Sequence, residues 1–335
     1  DLIGMEENRK ILTISIAAYN VEKYINKCLK SLFKDKDIVN YLDIIVEDDG
    51  STDCTSIIAK EYEKLYPLSV RVINKRNGGY GSTINNSINL AKGKYFKQLD
   101  GDDWFDENNL GMFVRWLKSI DTDFVFTPYY NCYEEGVSDL IDNCKNVTCD
   151  YECISSLNSC GNFAMHELTI KTKLLKDNNI KISENCFYTD NEYTFLPLMF
   201  AKNVSKFNRP IYCYRLGRDG QSVSIAGVQK HYEDSIIVAK KMYEAYKINY
   251  KNISTIANIA ELKIRYITDT VYTYCLISAP KYKAKSKLIQ FDSYLKTNYI
   301  DIYNDTNNIK KIKFLRLTNF MFFEFTRKWI IRKWD

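Results

Sequence analysis

The sequence predicts an α/β fold, a mostly parallel sheet flanked by helices and followed by an α-helical C-terminal extension. Two observations carry this. From Ile11 to Leu99, short apolar runs alternate with segments of helical period, and such alternation makes parallel strands with helices on the sheet faces. After Val228 the period is helical almost to the end.

The elements follow in order. Residues 11–18 read as a buried parallel strand, and Asn20 to Phe33 as a helix with Val21, Tyr24, Ile25, Cys28, Leu29 and Leu32 on its apolar face. Residues 42–47 are the next strand, and Thr55 to Leu65 a helix that stops before Pro67. Val70–Ile73 is a third strand, Asn77–Gly81 a loop, Ser82–Ala91 a helix and Tyr95–Leu99 a fourth strand. Phe124–Pro128 continues as strand, 131–150 as a polar irregular or hairpin excursion, and Phe163–Ile170 contains a further strand. Leu174–Asn178 and Asp190–Phe200 are helices, and Pro210–Arg215 an edge strand, because proline cannot donate to a ladder. Helices are expected over 228–248, 253–278 and 281–297. The expected domains are 1–224 and 225–335.

Composition narrows the function. A net charge of +5, mixed along 335 residues, is too mild for a nucleic-acid binder, and no nucleic-acid motif appears. Ten cysteines occur without paired spacing or a signal peptide, which predicts reduced thiols and a cytoplasmic location. No apolar run has the length of a membrane span.

The chemistry concentrates at the predicted strand ends. Asp100, Asp102 and Asp103 follow the fourth strand, and Asp48 and Asp49 follow the second. Packed carboxylates repel unless a cation or water takes up their charge. In open α/β sheets ligands bind beyond the carboxyl ends of the strands, where Ala18–Tyr19–Asn20 and the Gly78–Gly79 loop also fall. The alternative for each cluster alone is a solvated turn or a helix cap.

Residues 10–222 resemble family 2 glycosyltransferases of the GT-A fold. The resemblance rests on Ile14–Asn20, Glu47–Asp53, Asn77–Gly81, Ala91–Tyr95, the DxD-like Leu99–Trp104, Phe187–Asp190, Tyr212–Arg215 and Gln221–Ser224. Thr189 stands where the family usually has Glu beside the base. The resemblance implies a metal-dependent, inverting enzyme that moves a sugar from a UDP-sugar donor to a glycan or lipid-linked acceptor in bacterial surface polysaccharide synthesis. It implies Mn²⁺ or Mg²⁺ at Asp102 and Asp100, with Asp103 a third candidate or a helix N-cap. Nucleotide contacts fall to Ala18, Tyr19, Asn20, Asp48, Asp49, Gly78, Gly79, Asp100 and Gly101, with Tyr19 stacking on the base and Asp49 accepting from uracil N3. The base is Asp190, with Glu192 as its rival. Acceptor or phosphate contacts are Trp104, His166, Arg215, Gln221 and Ser222.

Residues 314–334 mix Phe and Trp with Arg and Lys, which suits either peripheral contact with the inner membrane face or packing on the chain itself or in a homo-oligomer. Two rival functions stay open: a nucleotidyltransferase, and a non-catalytic sugar-nucleotide-binding partner of another glycosyltransferase. The Ala17–Asn20 turn lacks the Gly-rich basic signature of the first, and the intact acids weigh against the second.

Overall fold

The computed structural model describes residues 9–133, 136, 138–148, 151–217, 224–249, 254–278 and 281–334. They form two compact units, Asp1–Gly217 and Arg218–Asp335.

The first unit holds two sheets. Its strands are β1 (Leu12–Ala18), β2 (Leu42–Asp48), β3 (Val70–Asn74), β4 (Tyr95–Asp100), β5 (Trp104–Phe105), β6 (Phe124–Phe126), β7 (Tyr129–Cys132), β8 (Ser138–Ile141), β9 (Glu152–Cys153), β10 (Leu168–Lys171), β11 (Asn203–Lys206) and β12 (Tyr212–Arg215). The large sheet is eight-stranded, in the order β3-β2-β1-β4-β10-β6-β11-β9. β1 runs parallel to β2 and β4, and β2 parallel to β3, whereas β10 is antiparallel to both its neighbours. Leu12, Ile14, Ile16, Ile44, Ile45, Val46, Phe96 and Leu99 are fully buried. This is the near-continuous apolar run expected of strands covered on both faces.

The register puts Ala18 opposite Asp48, Ala17 opposite Asp100 and Asp48 opposite Asn74. The acidic turns therefore emerge side by side at one sheet edge. The second sheet runs β5-β12-β7-β8, and its β12 lies beside β5, directly after the Asp100–Asp103 turn.

Several boundaries differ from the expectation. The helix predicted over 20–33 is confined to Ile25–Lys30, because Asn20 takes a left-handed φ of 52° and its side chain accepts from Thr52 N at 2.8 Å. The strand expected within 163–170 is Leu168–Lys171, at the end of that range. Ahead of it Glu167 accepts from Asn143 N at 2.7 Å and Ala164 N at 3.0 Å, which winds Met165–Glu167 into a 3₁₀ turn. β12 is an interior strand of its sheet, not an edge, since Pro210 lies outside it and every ladder donor is retained. The excursion after residue 131 contains the antiparallel β7–β8 hairpin.

The second unit is helical: Ile225–Asn249, Ala257–Ile277, Lys281–Asn298, Ile300–Asp305, Lys310–Leu317 and Phe323–Trp334. The buried Tyr243 and Thr268 hydroxyls meet at 2.6 Å, and Arg316 donates to the nearly buried Asp292 at 2.8 Å. Among the described residues no helix is long and apolar enough to cross a membrane.

Candidate functional site

Three strand-end turns build the site. At the end of β1, Ala18 is buried and its carbonyl accepts from Asp49 N at 2.9 Å, so the first two turns are stitched together. Tyr19 is 52% exposed, a free-standing ring on the rim rather than a core aromatic. Asn20 N donates to Ser51 Oγ at 3.0 Å. Asp48 Oδ1 accepts from Ser51 N at 3.0 Å, which closes the turn after β2.

Asp49 is buried, and its carboxylate accepts from Gly78 N and Gly79 N, each at 2.9 Å, and from Lys75 Nζ. Gly79 has φ +80°, and a Cβ there would lie 3.1 Å from Asn185 N. Asp49 thus fixes the glycine loop from beneath. The expectation that it accepts from uracil N3 meets a carboxylate already holding three donors.

The third turn sorts its acids by depth. Gly101 N donates to Ala17 O at 2.9 Å, and a Cβ on Gly101 would sit 2.9 Å from that same oxygen. Asp100 Oδ1 accepts from the Tyr80 hydroxyl at 2.7 Å. Asp103 is buried, with Oδ2 accepting from the Tyr212 hydroxyl at 2.6 Å and Oδ1 from Arg215 N at 2.7 Å. Burial first, and then the Asp102 and Asp100 charges, push its carboxyl well above the usual carboxylate range. Asp103 caps no helix, since the following helix, Leu110–Ser119, has Asn109 at its N-cap. Asp102 is half-buried, and its carbonyl accepts from Arg215 Nε at 2.9 Å.

His166 stands beside these acids. Its ring stacks on Tyr214 at 4.3 Å between centroids and meets Tyr212 edge-on at 4.7 Å. Its Nδ1 is buried without a hydrogen-bond partner among the described residues. Burial, and then the Lys97 charge, push the imidazole down to about 3, so the ring is neutral at working pH. Single ligand atoms of Asp100, Asp103 and His166 lie within 4.8 Å of one another. Mutually repelling carboxylates beside a neutral imidazole fit a divalent cation. Asp102, the first expectation for a ligand, is not in that set.

The two candidate bases separate clearly. Asp190 is exposed at the first position of the helix Asp190–Phe195, and its charge helps raise the Tyr80 and Tyr214 hydroxyls. Glu192 is fully buried and accepts from Ser183 N at 2.8 Å. Trp104 is half-exposed under Lys27, whose ammonium sits 3.2 Å from the ring centroid, with the Arg215 guanidinium 4.9 Å away. Gln221 and Ser222 lie outside the described residues. Sequence reasoning assigned no role to Tyr80, Lys75 or Tyr212. All three stood inside or next to the motifs, but their hydroxyls and ammonium take meaning only from the acids they meet.

Residues 13–155 match the family model described as Glycosyl transferase family 2. This match supports a family 2 glycosyltransferase. The chain is 25% identical over 269 residues to an uncharacterized glycosyltransferase of Mycoplasma genitalium, covering 77% of this chain and 86% of that one. It is 26% identical over 239 residues to the poly(ribitol-phosphate) beta-N-acetylglucosaminyltransferase TarS of Staphylococcus aureus, covering 70% of this chain and 40% of TarS. The crystal structure of S. aureus TarS 1-349 in complex with UDP-GlcNAc superposes with a TM-score of 0.58 at 20% identity, covering 89% of this chain and 90% of that one. The fold is GT-A, as expected from the sequence, and the enzyme is a glycosyltransferase.

Proposed function

We propose that this glycosyltransferase moves a sugar from a UDP-sugar to a hydroxyl of a glycan or lipid-linked acceptor, with inversion, in the cytoplasm during bacterial surface polysaccharide synthesis. The observation that carries the reading is the meeting of the Asp49-held glycine loop and the Asp100–Asp103 turn at one sheet edge. The relatives support the donor class, since two of the TarS structures are complexes, one with UDP-GlcNAc and one with UDP.

In this reading the exposed Tyr19 ring stacks on the base. Gly78 and Gly79 bring backbone close to the nucleotide, and Asp49 acts by holding that loop. Asp100 and Asp102 would hold Mn²⁺ or Mg²⁺, with His166 a further donor beside Asp100. When bound, the cation supplies Lewis-acid stabilisation of the departing diphosphate. Asp103 is a positioning residue, because both its oxygens tie the turn to β12. Asp190 takes the acceptor hydroxyl proton as the new glycosidic bond forms. It is the exposed acid of the pair, whereas the carboxylate of Glu192 is committed to Ser183. Trp104 and Arg215 face the acceptor or its phosphate.

The test is UDP release from a panel of UDP-sugars with Mn²⁺, Mg²⁺ or EDTA, and then sugar transfer to candidate acceptors. Metal-dependent release from one donor, lost in Asp102→Asn, supports the donor and metal assignment. Transfer that drops about a thousandfold in Asp190→Asn while donor hydrolysis persists supports the base. Full transfer by Asp190→Asn, or by the EDTA-treated enzyme, would overturn that part of the reading.

A further inference from the structure

The last two helices carry apolar side chains on both faces. On Phe323–Trp334 the inward stripe is Phe323, Thr326 and Ile330, all buried. The outward stripe at the same spacing is Phe322, Phe325 and Trp329, and it is exposed. Phe314, Leu317 and Met321 extend it, with exposures running from 39% for Phe314 to 76% for Leu317. The Phe314 and Phe322 rings lie 5.8 Å apart, so the two helices present one continuous apolar surface. A helix that is apolar all round is normally enclosed, and contiguous exposed apolar surface of this kind marks a contact site.

The charges around this surface choose the occupant. Lys310, Lys313, Lys328 and Arg332 are exposed around it. Between residues 310 and 332 the only acid is Glu324, which is half-buried and 3.9 Å from Arg327. A two-fold contact between copies would set these cations against themselves, which is unfavourable. Aromatic and long aliphatic side chains ringed by lysine and arginine instead match the boundary between acyl chains and anionic headgroups.

We propose that the outward face of residues 310–332 docks this chain onto an anionic bilayer surface. The aromatic and aliphatic side chains enter the headgroup–acyl boundary, and the four cations meet lipid phosphates. The contact is peripheral and reversible, and it weakens with salt because its charges are solvent-exposed. It does not depend on the donor or acceptor assigned above.

The experiment is co-sedimentation of the full chain with vesicles of pure phosphatidylcholine or pure phosphatidylglycerol, at low and high salt. The wild type is expected to bind phosphatidylglycerol vesicles at low salt and to leave phosphatidylcholine in solution. Lys328→Gln/Arg332→Gln should bind about thirtyfold more weakly. Phe322→Ser/Phe325→Ser/Trp329→Ser should lose more than about tenfold. Ile57→Ser, which removes an apolar side chain exposed elsewhere, should bind like the wild type, and circular dichroism verifies that each variant is folded. No binding to phosphatidylglycerol, or equal binding by the triple variant, would overturn the proposal. So would a lipid-free dimer in light scattering that the triple variant abolishes, since the face would then belong to a second copy.

Discussion

Replacing Asp49 with Asn tests whether this carboxylate builds the glycine loop or reads a base. Asp49 is about as large as Asn, so packing is preserved while the charge is lost. In the native chain its two oxygens serve Gly78 N, Gly79 N and Lys75 Nζ, and the side chains of Asp49 and Lys75 are 6% and 19% exposed. An amide offers one oxygen to the donors and turns an NH₂ toward the rest. Hydrogen bonds to a charged group are worth about 1.5–3 kcal/mol each. The Lys75 ammonium retains Ser82 Oγ at 2.5 Å and some access to water. The expected loss is therefore about 3 kcal/mol rather than the full sum. Guanidinium unfolding of the wild type, Asp49→Asn, Lys75→Met and the double variant measures it, with a coupling of about 1–3 kcal/mol between the two positions. Binding of UDP, GDP and ADP by calorimetry supplies the second readout: a loop-building role weakens whatever nucleotide binding exists without altering base preference. Stability within about 0.5 kcal/mol of the wild type, together with a selective loss of UDP, would refute the reasoning and return Asp49 to base recognition.

Two further predictions concern the frame of the site. A Cβ on Gly81 would lie 1.9 Å from the Ser183 carbonyl oxygen, so Gly81→Ala must push away the segment that leads to Asp190. We expect about 1–3 kcal/mol of destabilisation by chemical denaturation, and no measurable change would sink this reading. Lys97 is fully buried, donates to the His166 carbonyl at 2.9 Å, and burial pushes its ammonium down to about 7. Its folded-state pKa lies below the unfolded value, so the unfolded chain binds the extra proton and stability rises with pH across this window. Relative to Lys97→Met, wild-type stability should be flat below about pH 7 and rise by roughly 4 kcal/mol by pH 10. Parallel pH profiles for the two proteins would contradict it.

Much of the fold was legible because it rests on local pattern. Alternating apolar runs and turns gave the order β1 to β4 and the helices between them. Glycine and aspartate at strand ends marked the edge where the candidate site lies, because parallel strands bring those ends together. Boundaries failed where a distant partner overrode the local pattern. Asn20 leaves the helix for Thr52, Glu167 winds its own turn around Asn143, and β12 becomes interior because β5 and β7 arrive on either side.

Sequence by itself determined which side chains could do chemistry and the order in which the chain presents them, since both follow from residue type and spacing. Its resemblance put the metal at Asp102 and Asp100 with Asp103 a third candidate, and it kept Glu192 as the rival of Asp190. Tertiary structure decided their burial and their partners far along the chain. Asp103 turns inward because the Tyr212 hydroxyl, 109 residues away, meets it there, whereas Asp100 meets Tyr80 at the edge of the site. Glu192 is committed beneath Ser183, which leaves Asp190 in solvent. A carboxylate's role depends on its solvation and on the donors that reach it, and both are properties of the folded surroundings rather than of neighbours in sequence.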